Sequence, residues 1–131
     1  MKKDIEIPIA KDIFVTAVQE WNDDKTTSFW NAYLINDRDV AIDMLMVVSK
    51  GYDTDRKTAV MRHNLGLLAA KSTRKIEMLH EALLTLNNEF YVSYFADNKL
   101  YEKKFIFRKD TITEQNLRPI PLMEKEGILA E

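Results

Sequence analysis

The side chains able to act as nucleophile or base are few. Two histidines, His63 and His80, stand beside four serines, Ser28, Ser49, Ser72 and Ser93. Nucleophilic catalysis needs a hydroxyl or thiol against a base that a carboxylate orients. The chain has no Cys, which removes thiol chemistry, iron–sulfur ligation and thiolate zinc. No serine lies in a Gly-x-Ser-x-Gly elbow. The one local pairing with catalytic character is Arg62 beside His63. The 21 Asp and Glu residues offer many carboxylate pairs, and spacing alone selects none of them.

Metal and phosphate chemistry are equally thin. His63 has no second histidine near it along the chain, and His80 and Glu81 would point to opposite faces of a strand. Asp53-Thr54-Asp55 opens like a calcium loop. The slot that needs glycine then holds Thr58, and the slot that needs glutamate holds Asn64. A solvated acidic turn, its carboxylates capping backbone amides, accounts for the segment. Of three glycines, the nearest pair is Gly51 and Gly66, too far apart for a Gly-rich phosphate loop. The expectation is no metal, no cofactor and no enzyme.

Charge carries the clearest signal. The 131 residues have a net charge of −2. Residues 50–75 nevertheless hold Lys50, Arg56, Lys57, Arg62, Lys71, Arg74 and Lys75 against only Asp53 and Asp55. That surplus of five leaves −7 on the rest of the chain. If the segment folds into neighbouring strands, its cations form a patch for an anionic partner such as RNA. RNA-binding sheets interleave aromatics with the cations, and here the segment supplies only Tyr52.

The elements that would hold these residues are strands. Hydrophobic alternation with period two runs from Ile13 to about Trp21, through Phe29 to Ile35, and over about Val40 to Ser49. It returns over Lys57–Leu65 and Thr73–Leu79, and most strongly in a hairpin. There Phe90, Val92 and Tyr94 lead through Ala96-Asp97-Asn98-Lys99 into Tyr101–Phe107. His80–Leu86 has the composition of one or two helical turns. No amphipathic helix of about 10–15 residues separates the strands, which argues against a parallel α/β sheet. The expectation is an all-β, antiparallel β-sandwich of about seven strands. Leu86 to Phe90 looks like the E–F corner of immunoglobulin and fibronectin type III domains, so the sandwich is expected to be immunoglobulin-like.

Residues 1–110 read as that domain and 111–131 as an irregular C-terminal tail. Pro119 and Pro121 bar the tail from a central strand. Leu117, Ile120, Leu122 and Met123 make it too apolar for an idle linker, so it packs on the domain or on a partner. Trp30 and the methionines Met44, Met46, Met61 and Met78 are placed in the core, and Trp21 at its edge. No apolar stretch approaches the roughly 18–20 residues of a membrane span. Asp4, Glu6 and Asp12 interrupt any leader behind the two N-terminal lysines, which suggests a cytoplasmic location.

Several phrases also resemble a family of short bacterial proteins, some of them labelled phenylalanyl-tRNA synthetase alpha subunit. These are Trp30–Asp39, Ser49–Asp53, Met61–His63, Leu86–Phe90, Phe95–Leu100 and Pro119–Met123. The resemblance covers most of the chain and implies no catalytic residue, since no segment resembles the motifs of a synthetase core. The functional expectation is therefore a non-enzymatic interaction or structural module with a protein partner or a second copy. The alternative is RNA or another anionic partner at residues 50–75, connected with translation.

Overall fold

The structure, a computed structural model, describes residues 8–131. The lysines and acids of the first seven residues, on which much of the leader reading rests, lie outside the described residues. Among the described residues nine strands follow in chain order: β1 Ile13–Trp21, β2 Ser28–Asn36, β3 Ile42–Tyr52, β4 Met61–Leu68, β5 Ser72–Leu79, β6 Asn87–Ala96, β7 Lys99–Phe107, β8 Arg118–Pro119 and β9 Glu126–Leu129. They form two antiparallel sheets, ordered β5-β2-β1-β9-β8 and β4-β3-β6-β7. The fold is an all-β sandwich.

Alternation explains the core. Ile13, Val15 and Ala17 pair with Asn36, Leu34 and Ala32 and turn inward. Opposite them lie Leu45, Val47, Phe90, Val92, Tyr94, Phe105 and Phe107, all buried. Phe90 meets Phe107 edge to face at 5.7 Å, the ring geometry their quadrupoles favour. Asp97 and Asn98 both have left-handed backbone (φ 54° and 60°), as a two-residue hairpin turn between twisted strands requires. His80–Leu86 becomes a 3-10 helix over Glu81–Thr85. Beside it Asn88 is buried and donates through Nδ2 to the Leu83 and Leu86 carbonyls.

Two expectations fail. The first is the placement of the methionines. Met44 is 70% exposed, and Met46, Met61 and Met78 are exposed as well. In β3 the pairing register slips between Ile42 and Met46, with Met44 in the left-handed region (φ 50°). One residue inserted into a period-two pattern inverts every later face. Leu45, Val47 and Ser49 therefore turn inward, and Met46 and Val48 turn out. Gly66 pairs with Leu45 at the slip, and its own φ of +68° is backbone that glycine adopts without strain.

The second is the irregular tail. Its strands β8 and β9 extend the five-stranded sheet beside β1. Pro119 lies in β8, the edge strand, where its missing N–H costs no ladder bond. The pairings are only two residues long, too short for alternation to reveal. Trp30 is buried as expected, and Trp21 is exposed at the end of β1.

Candidate functional site

The sandwich has two long seams, and they are closed differently. On the β1–β7 side the C-terminus joins the sheets through its backbone. Ala130 N–H donates to the Val15 carbonyl, and Glu131 exchanges two hydrogen bonds with Ile106 of β7. Among the tail residues, Ile120 is buried and Leu117 packs against the core. Met123 is half-buried and Leu122 exposed. Gly127 is seated so closely that a Cβ there would lie 2.7 Å from Thr16 Oγ1. Over the outer face of the same sheet, Tyr33 and Asn31 both donate to Glu20 Oε1 at 2.6 Å. Lys125 from the tail reaches Glu20 Oε2 at 3.4 Å. Burial, then Glu20 itself, pushes the Tyr33 hydroxyl up to about 12.

At the β4–β5 seam the chain passes from one sheet to the other through residues 69–71, and among the described residues the two strands do not pair and are bridged by side chains. The Arg74 guanidinium crosses from β5 to donate to the carbonyls of Leu65 and Leu67 in β4, at 2.9 and 3.0 Å. Further along, Glu77 pairs with Ala32 of β2, which turns it toward the facing sheet. Its Oε1 accepts the Ser49 hydroxyl of β3 and lies 2.8 Å from His63 Nε2 of β4. Against an ionised carboxylate, which only accepts, that ring nitrogen carries its proton toward Glu77. Three strands from two sheets thus meet on one oxygen.

Beside this cluster opens a groove of about 500 Å³ at the end of the sandwich. Its walls include Ala59, Met61, Met78, Leu83 and Phe90, with Ser49, Glu77 and His80 among them. Sequence reasoning named His63 but not Glu77. Alternation does not show that β4 and β5 face each other from different sheets, and Glu77 looks like one more polar strand residue.

The seven cations of residues 50–75 do not gather on one face. Arg56 chelates Asp53 through Nε and Nη2 at 2.9 and 2.6 Å. Those bonds, with backbone amides of Asp55 and Arg56, hold the Asp53 carboxyl at about 2. This is the amide-capping turn expected there. Lys71 is bound to Asp37 and Asp39, and the Asp37 bond raises its pKa. Lys50 sits 3.6 Å from Glu89, and Arg74 belongs to the seam. Lys57, Arg62 and Lys75 have no acidic partner among the described residues. Arg62 pairs with the outward-facing Val48 and Lys75 with Tyr33 on the outside of the other sheet. Lys57 stands in the β3–β4 connection.

No group of three or more metal-ligating side chains occurs among the described residues. No helix among them is long and apolar enough to cross a membrane. Comparison with known proteins gives no match to a family model, a curated protein or a solved structure.

Proposed function

We propose that this protein is a non-enzymatic binding module of immunoglobulin-like order. The strand order supports the topology. β1-β2-β5 facing β4-β3-β6-β7 follows the A-B-E and C′-C-F-G arrangement of such sandwiches, with β8 and β9 added beyond the first strand.

The observation that carries the binding role is the asymmetry of the seams. One is sewn by backbone. The other, among the described residues, has no strand pairing, is bridged by side chains and opens into a groove bordered by the exposed Met61 and Met78. Methionine adapts its shape to a partner surface, and pockets of about 300–1,000 Å³ suit a side chain or small ligand. The order of contacts at Glu77 supports binding over catalysis. Ser49 gives its proton to the carboxylate, whereas an activated serine gives it to a histidine.

Selection of peptides against the protein tests this. Ligands should be recovered whose binding is lost in Met61→Asp and kept in Met44→Asp. The reverse pattern would place the binding surface on the outer face of the four-stranded sheet. RNA binding has less to rest on, since Arg62 and Lys75 stand on the outer faces of different sheets. Salt-sensitive RNA binding abolished by Arg62→Ala would restore it.

A further inference from the structure

We infer that the seam groove receives a lysine side chain of a partner protein, with Glu77 as its counter-ion. The inference rests on the proposed binding role and names the chemistry recognised there. Among the described residues, Glu77 is the one acid on a groove wall that also carries Met61, Met78, Leu83 and Phe90. Its side chain is 15% exposed, so the carboxylate is largely withdrawn from water while still bordering the opening.

Its two oxygens differ. Oε1 takes both the Ser49 hydroxyl and the His63 ring N–H. Oε2 has no hydrogen-bond or ion-pair partner among the described residues. Ser49 and His63 fix the position of the acid and leave one oxygen to accept.

Two basic side chains of these strands already have partners. Arg74 is spent on the Leu65 and Leu67 carbonyls. Lys50, which lines the same groove, has its ammonium 3.6 Å from Glu89 and 5.9 Å from the Tyr52 ring. His80 is the remaining titratable group on the wall.

The complementary ligand has an apolar stem ending in a compact cation with several donors. A lysine side chain has that form, its methylenes lying along apolar surface while the ammonium reaches the acid. A carboxylate ligand would meet repulsion from Glu77. A purely apolar one would leave Oε2 desolvated and without a donor. The adjoining β4 is an edge strand, against which an extended partner segment can lie and aim alternate side chains inward.

The test compares Nα-acetyl-lysine methylamide with its norleucine counterpart, which keeps the stem and lacks the ammonium. Binding is followed through the methyl resonances of Met61 and Met78. The lysine compound should bind at least about tenfold more tightly, as a charge-assisted hydrogen bond in a sheltered site provides. Glu77→Gln should erase the difference while leaving the weaker norleucine binding. Equal binding by the unaltered protein would overturn the counter-ion role and leave the groove as a docking site. No shift at either methionine with either compound would remove both. The comparison on the unaltered protein is decisive even if Glu77→Gln does not fold.

Discussion

Glu77 Oε1 stands 2.8 Å from His63 Nε2, and through this contact the edge strand of one sheet is fastened to the edge strand of the other. The same oxygen accepts the Ser49 hydroxyl, so one carboxylate serves three strands. Removing it strands two donors at once, one of them on a residue only 4% exposed. Glu77→Ala should therefore cost about 1–3 kcal/mol in urea denaturation. Glu77→Gln keeps a carbonyl oxygen as acceptor and should cost clearly less. Equal losses would show that Ser49 and His63 do not depend on an acceptor there.

Arg74 closes the other half of this seam, giving charge-assisted bonds to two β4 carbonyls. An edge strand left with unsatisfied backbone groups is a template for pairing. Arg74→Met retains the stem and removes the donors. It should lower stability by about 1 kcal/mol and speed hydrogen exchange over Met61–Leu68, with less effect on β6. Unchanged exchange in β4 would mean the carbonyls are equally served by water.

Gly127 and Gly66 should respond to alanine for different reasons. At Gly127 the new methyl meets Thr16 Oγ1 at 2.7 Å, Ile120 Cδ1 at 2.9 Å and the Ala17 backbone oxygen at 3.0 Å. Overpacking of that kind costs about 1–3 kcal/mol and should expose residues 111–131 to proteolysis. At Gly66 nothing lies within 4 Å, and the penalty comes from φ of +68°, about 1 kcal/mol of backbone strain. Protection of the tail should survive Gly66→Ala. Tail cleavage in that variant would contradict the division.

The Tyr33–Glu20 bond gives a pH signature with a definite sign. A folded-state value of about 12 for Tyr33 lies above the roughly 10 of an unfolded chain. Its stabilising contribution is thus complete below about pH 10 and is lost as pH rises toward 12. Glu20 behaves oppositely. Burial raises its pKa, but the bonds from Tyr33 and Asn31 and the charge of Lys125 hold it below its ordinary value. Its contribution is present above that ordinary value and is lost as pH falls below it. Spectroscopic titration should find Tyr33 ionising near pH 12, moved toward 10 in Glu20→Gln. An unmoved titration would detach Tyr33 from Glu20.

Much of the sandwich is legible in the sequence where a strand is half-buried and alternates, as β6 does along its whole length. Ile13–Ala17 and Phe90–Tyr94 read directly onto the core. The bulge at Met44 is not legible. A long apolar run offers two phases, and one left-handed residue switches between them. Met44 carries about 1–2 kcal/mol of strain for that role. Met44→Gly should raise stability by about 0.5–1 kcal/mol, whereas a loss would show that the side chain contributes more than its strain. The groove is hidden for another reason. Glu77, His63 and Ser49 come from three strands, and which edges face each other is decided by topology. The +5 charge of residues 50–75 misleads similarly, since Asp37, Asp39 and Glu89 approach from outside that segment.

Binding at the β4–β5 seam is read most directly from a methionine-methyl NMR spectrum of the protein with a selected peptide. Met61 and Met78 should shift while Met44 and Met46, on the bulged β3, hold their positions. Shifts at Met44 and Met46 with Met61 and Met78 unmoved would contradict it.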